Sequence, residues 1–188
     1  MIGRVVAGIF VGGASTRMGG QPKGLLPVPD GRAIVDRLRA VLEEAGAGEV
    51  VLVGRHPAYA AAPVDALDDT PPGIGPLGGL IALLARAQGG HAIAVACDMP
   101  YVSCRLVARL LAAPEAVAVA PRHERRWEPL CARYEADAVR PLAEAQSRGP
   151  DHSLQRLLDR AGAIELPLSE AETRELRDWD RPDDVGRC

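Results

Sequence analysis

What the 188-residue chain lacks is the first guide to it. Asparagine is absent altogether, and of the 22 basic residues only Lys23 is a lysine, the rest being arginines. Whatever drained lysine from the composition spared that one position. An ammonium on a flexible stem can follow a phosphate where a broad, planar guanidinium does not fit, which makes Lys23 a candidate site residue. Aromatics are scarce, at two Trp, three Tyr and one Phe. That is too few to build a surface on which bases stack, so single-stranded nucleic acid is excluded as a natural partner and the core must be aliphatic. The net charge of −3 offers no general attraction for nucleic acid or anionic lipid. Any polyanion must be held by a local site.

Long hydrophobic runs are missing too. None approaches the roughly 20 residues that span a bilayer, and the opening MIGRVVAGIF has neither a basic leader nor a cleavage region. A cytoplasmic protein with no membrane partner is expected. The four cysteines, Cys97, Cys104, Cys131 and Cys188, show no CxxC or metal-ligand spacing and read as buried or incidental thiols. With 47% hydrophobic and 25% charged residues, the balance is that of a folded globular chain, which excludes wholesale disorder, a collagen repeat and a coiled coil. The length suits a single domain covering residues 1–188.

The order of patterns is strand, helix, strand, helix, strand. Residues 4–11 (RVVAGIFV) form a nearly all-apolar, β-branched run closed by Gly12 and Gly13, as in a strand buried on both faces. Apolar positions then recur at helical spacing over 34–45, and 49–53 (EVVLV) reads as a second strand. A helix over 77–87 and a buried strand over 92–96 (AIAVA) follow. Ser103 caps a helix running to about 112, and 116–120 (AVAVA) gives a further strand. Residues 127–134 fit a strand, 135–146 and 153–161 fit helices, and 163–166 a final strand. The alternation implies an α/β fold, a three-layer α/β/α sandwich on a mostly parallel, doubly wound sheet with right-handed crossovers.

Ligands of such sheets bind beyond the carboxyl ends of the strands, and three unusual segments fall there. The first, GGASTRMGGQPKGLL over 12–26, carries five glycines with Arg17 and Lys23. Its N–H groups can wrap a polyphosphate while the two cations neutralise it. It matches neither GxxxxGK[ST] nor GxGxxG. The second, ALDDTPPGIGPLGGL, sets Asp68 and Asp69 before a turn in which Gly75, Gly78 and Gly79 allow close approach to backbone. A carboxylate there can accept paired hydrogen bonds from a guanine N1–H and N2 amino group. The third is CDMP, where Asp98 ends a buried strand. An acid in that place is costly unless paired or ligating a metal, so Asp98 is the leading candidate for a Mg2+ ligand.

Taken together, GGASTRMGG followed by Lys23, then GPLGGL, then CDMP resembles the molybdenum cofactor guanylyltransferases, the MobA-like branch of the nucleotidyltransferases. WEPLCARY, GPDHSLQRLL and DWDRPDDV are similar to that family's downstream segments. The resemblance implies a Rossmann-like nucleotidyltransferase fold, Mg2+ dependence, and transfer of GMP from GTP to the terminal phosphate of Mo-loaded molybdopterin with release of pyrophosphate. It implies that Phe10, Val11, Gly12 and Gly13 border the nucleotide with Gly54 and Gly75, and that Arg17 and Lys23 meet its phosphates. It further implies that Asp68 or Asp69 contacts the base, and that Asp98 holds Mg2+ with Asp180. Pro22, Gly54 and Arg181 depart from the family's usual residues, and Asp178 and Asp180 replace asparagines. Proteins of molybdenum cofactor biosynthesis, or acceptor proteins, are implied partners.

The nucleophile in that reaction is already an anion, so none of His56, His91, His123 and His152 needs a catalytic role. Arg122, Arg125 and Arg126 form a basic cluster suited equally to an acceptor phosphate, a partner protein or plain solvation. Two other readings stay open on sequence alone: a nucleotidyltransferase for another base or acceptor, and a nucleotide-binding module without turnover.

Overall fold

The structure is a computed structural model that describes residues 3–12, 22–60 and 64–179. Strand β1 (Val5–Phe10) is followed by a 3₁₀ turn at Lys23–Leu25, helix α1 (Ile34–Glu44), β2 (Glu49–Val53), a second 3₁₀ turn at Pro57–Tyr59, β3 (Ala66–Leu67), α2 (Pro76–Arg86), β4 (His91–Ala96) and α3 (Cys104–Ala112). The second half runs β5 (Ala118–Ala120), β6 (Arg122–His123), β7 (Arg126–Trp127), β8 (Cys131–Glu135), α4 (Ala136–Ser147), α5 (Leu154–Arg160), β9 (Ile164–Glu165) and α6 (Glu170–Glu175).

Seven strands form one sheet in the order β3-β2-β1-β4-β8-β5-β9. β1 pairs in parallel with both β2 and β4, and β8 alone runs antiparallel, against β4 and β5. The expected mostly parallel sheet is therefore present, with one correction. Residues 127–134 do not make one strand: β7 closes a small hairpin with β6, and β8 begins afresh at Cys131. The connection from β5 to β8 is too short to carry a crossover helix, and only an antiparallel neighbour is reachable without one.

Both faces of the sheet are covered, which the unbroken apolar character of β1 and β4 anticipates. Period-2 alternation divides the strand residues. Val5, Ala7 and Ile9 of β1 and Ile93 and Val95 of β4 pack with Ile34, Leu38 and Leu42 of α1 and with Leu106, Val107 and Leu110 of α3. Val6 and Phe10, with Ala92 and Ala94, face Leu80, Leu83 and Leu84 of α2 and Val139 of α4. These are the three layers. Small alanines on β4 let α2 and α4 lie close to the sheet. Helix α6, for which the sequence reading has no counterpart, is started by a capping box at Ser169 and Glu172 and docked by the ion pair of Glu172 with Arg109 of α3 and by Glu175 accepting from the Ser103 amide at 3.0 Å. Among the described residues no helix is long and apolar enough to cross a membrane.

Candidate active site

The order of the central strands reverses at β1, whose successors β2 and β3 lie on one side and β4 on the other. At such a switch point the two outgoing connections part and leave a crevice beyond the carboxyl ends. A cavity of about 470 Å³ occupies it, lined by Phe10, Val11 and Gly12 leaving β1 and by Ala96, Cys97, Asp98 and Met99 leaving β4. Two backbone bonds fix those exits: the Val11 amide donates to the Val53 carbonyl at 3.0 Å, and the Cys97 amide to the Phe10 carbonyl at 3.1 Å.

Lys23 reaches the same place from the 3₁₀ turn after the glycine-rich segment. Its Nζ lies 3.3 Å from Asp98 Oδ2, with the two side chains 15% and 28% exposed, so each charge is largely withdrawn from water and directed into the cavity. The turn is pinned by Tyr59, whose buried hydroxyl accepts from the Gly24 amide at 3.0 Å. Burial pushes the Tyr59 phenol up to about 12 and does the same to the Cys97 thiol. Neither is a nucleophile at neutral pH. On the far side, the Trp179 amide donates to the Asp98 carbonyl at 2.8 Å, and the indole, 1% exposed, anchors the closing segment so that Asp178 also lines the cavity.

The acidic pair separates into two roles. Asp69 lines the cavity, whereas Asp68 is exposed and ion-paired with Arg55. The difference comes from α2, which starts at Gly75 and Pro76 on the cavity rim. A Cβ on Gly79 would lie 3.1 Å from both Asp69 Oδ1 and Phe10 Cε1, so the bare backbone of the first turn is what admits the carboxylate and the ring. Partial burial, with the Asp68 charge adding to it, raises the Asp69 carboxyl from its ordinary value. Gly54 supports the opposite wall from behind. Its φ of +91° belongs to the region glycine favours, and a Cβ there would meet Gly12 Cα and N at 3.2 Å.

Of the residues expected from sequence, the structure brings Phe10, Val11, Gly12, Lys23, Asp69, Gly75 and Asp98 to one cavity. Gly54 contacts its wall, and Asp68 lies outside it, exposed and paired with Arg55. Gly13, Arg17 and Asp180 fall outside the described residues. Arg122, Arg125 and Arg126 are not among the cavity-lining residues; Arg122 stacks 3.8 Å over the Trp127 ring instead. None of the four histidines lines this cavity. Sequence reading missed Glu128 and Met99. Glu128 is a half-buried carboxylate raised chiefly by that burial and further by Asp178 and Asp98, against lowering by His123 and Arg126. It stands directly before Pro129 and Leu130, which also line the site, and nothing in its local sequence marks it.

A crevice of this kind, at the switch point of a parallel sheet, with a glycine exit and a lysine set on an aspartate, defines an α/β nucleotidyltransferase. Comparison with known proteins makes the class specific: a model of the MobA-like NTP transferase domain matches residues 7–164, and the chain belongs to that family. A molybdenum cofactor guanylyltransferase of Xanthomonas euvesicatoria is 37% identical over 156 residues, 78% of each chain. A probable molybdenum cofactor guanylyltransferase of Opitutus terrae is 33% identical over 191 residues, covering 97% of this chain and 94% of its own. The crystal structure of molybdopterin-guanine dinucleotide biosynthesis protein A from Archaeoglobus fulgidus superposes with a TM-score of 0.76 at 22% identity, covering 95% of this chain and 94% of its own, a likeness of fold.

Proposed function

We propose that this protein transfers GMP from GTP to the terminal phosphate of Mo-loaded molybdopterin, as a Mg2+-dependent molybdenum cofactor guanylyltransferase acting as one domain over residues 1–188. The observation that carries the reading is the Lys23–Asp98 pair, 3.3 Å apart, in a nucleotide-sized cavity at the β1/β4 switch point. The names of the two relatives supply the base and the acceptor.

The charge balance of the cavity bears on the cation. Among its described lining residues, Asp69, Asp98, Glu128 and Asp178 face Lys23 alone, an arrangement that repels a triphosphate unless cations are added. Carboxylate oxygens suit Mg2+, which is commonly held by one or two of them together with phosphate oxygens. Asp98 is the residue to hold it, with Asp180 as the second ligand. When bound, the ion neutralises phosphate charge and orients the reacting groups.

The chain's own residues then do the following. Gly12 and Gly13 offer backbone to the phosphates at the β1 exit. Lys23 and Arg17 balance the charge that gathers on the leaving pyrophosphate. Asp69 accepts from the guanine edge, a duty it performs only as the carboxylate. An oxygen of the acceptor phosphate forms the new bond to the α-phosphorus as the bond to the β-phosphate oxygen breaks. No proton need move. The free thiols Cys97, Cys104 and Cys131 suit the reducing cytoplasm as the working compartment.

The test is a panel of nucleoside triphosphates supplied with molybdopterin and Mg2+, scored by dinucleotide product and pyrophosphate. Product is expected with GTP. Product with CTP in its place, or none with any nucleotide, would overturn the assignment.

A further inference from the structure

A second cavity, of about 420 Å³, adjoins the first. It is walled by His123 of the hairpin and by Thr173, Arg174, Leu176 and Arg177 at the end of α6, and it shares Met99, Glu128 and Asp178 with its neighbour. The shared residues make the two a continuous crevice, divided where Glu128 and Asp178 stand. Charge divides it as well. The nucleotide side is dominated by carboxylates, while the outer side brings two arginines and a histidine together.

Those arginines are presented at fixed positions. Helix α6 is tied to α3 through Glu172 with Arg109 and through Glu175 with the Ser103 amide. The chain after it is tied back to Asp98 through the Trp179 amide. Arg174 and Arg177 lie on the span between these ties, and both are exposed. Among the described residues, the ion pair of Arg174 is a long one of 4.0 Å with the fully solvated Glu170. Among the described residues no carboxylate forms an ion pair with Arg177. Two guanidiniums at a cavity wall with little internal use for their donors mark a place for an anionic, acceptor-rich group.

We infer that the second cavity receives the body of the acceptor beyond its phosphate, and that Arg174 and Arg177 are specificity-determining residues that grip an anionic, acceptor-rich end of it. The inference rests on the guanylyl-transfer reading. A phosphomonoester whose phosphate meets a nucleotide held on Lys23 and Asp98 has its remaining atoms directed away from that nucleotide, and the outer cavity is the space that adjoins there.

The experiment is steady-state transfer by the full chain, with molybdopterin and GTP varied in turn, for the wild type, Arg177→Ala, the Arg174→Ala/Arg177→Ala double variant and Arg177→Lys. A charge-assisted hydrogen bond lost from each site raises the acceptor KM by about tenfold. The double variant should show the larger rise, with the GTP KM and the thermal midpoint unchanged, and Arg177→Lys should recover part of the loss. An unchanged acceptor KM in the double variant of an active enzyme overturns this inference and leaves the guanylyl-transfer reading standing. A rise in the GTP KM instead overturns it by assigning the arginines to the nucleotide. A wild type that forms no product overturns the reading and this inference with it.

Discussion

Gly54→Ala separates the two jobs assigned to that glycine. The residue leaves β2 with φ at +91°, while its amide donates to the Leu67 carbonyl at 2.9 Å, so the turn cannot simply relax. An alanine held in the left-handed region costs roughly 1–2 kcal/mol. The added methyl also meets Gly12 Cα and N at 3.2 Å, and backbone cannot rotate away as a side chain can. Over-packing of this kind adds about 1–3 kcal/mol. Gly31→Ala is the matched control, since its φ is +84° and nothing lies within 4 Å of the new methyl. The stiffening of the unfolded chain by alanine is common to both variants and cancels in the comparison. At about 2–4 °C of Tm per kcal/mol for a chain of this size, the over-packing peculiar to Gly54 should make Gly54→Ala melt roughly 2–12 °C below Gly31→Ala. Calorimetric melts give the midpoints, and titration of GTP with Mg2+ gives the second readout, because a displaced Gly12 spoils the phosphate wall. Equal midpoints for the two variants, with GTP affinity unchanged in both, would refute the claim that Gly54 shapes that wall.

Tyr59→Phe strips the buried Gly24 amide of its acceptor, at about 1–3 kcal/mol, and should raise the GTP KM through the loosened turn that carries Lys23; kinetics with an intact GTP KM would show that the turn holds without it. Asp69→Asn should erode the preference for GTP over ITP, which lacks the N2 amino group, whereas Asp68→Asn should leave it in place; competition assays that find the opposite order would reassign the base contact. Glu172 is held down to about 2, first by Arg109 and then by the Ser169 amide. Its folded value lies below its unfolded one, so its contribution to stability is present above the ordinary carboxylate range and is lost as pH falls toward 2. Melting of Glu172→Gln against pH should therefore show a shallower acid decline than the wild type, and parallel declines would contradict the pairing.

The long buried strands and amphipathic helices were legible because each satisfies its pattern locally: 34–45 and 77–87 correspond to α1 and α2, and EVVLV is β2 to the residue. What escaped depends on partners distant in sequence. β3 is two residues whose only reason to be extended is the edge of β2. Helix α6 is short, polar and held by Arg109 and Ser103 from another helix. The direction of β8 follows from the length of its connection rather than from its residues. In the site, Lys23 and Asp98 stood out because composition and burial made each costly or rare. The choice between Asp68 and Asp69 did not, since adjacent acids differ only in which way the fold turns them, and Arg55 with Gly79 decides that in three dimensions. Glu128 escaped because a lone glutamate before a proline carries no distinguishing local signal.

The proposed transfer stands on a triphosphate lying against the β1 exit, between the amine of Lys23 and a cation on Asp98. Single-turnover guanylyl transfer by Lys23→Ala and Asp98→Ala, with folding verified by melting, probes that placement. Removing one such stabilising group typically costs ~10² to 10³ in rate, and a loss of at least that size is predicted for each variant at saturating GTP. Transfer at the wild-type rate by either one would rule that placement out.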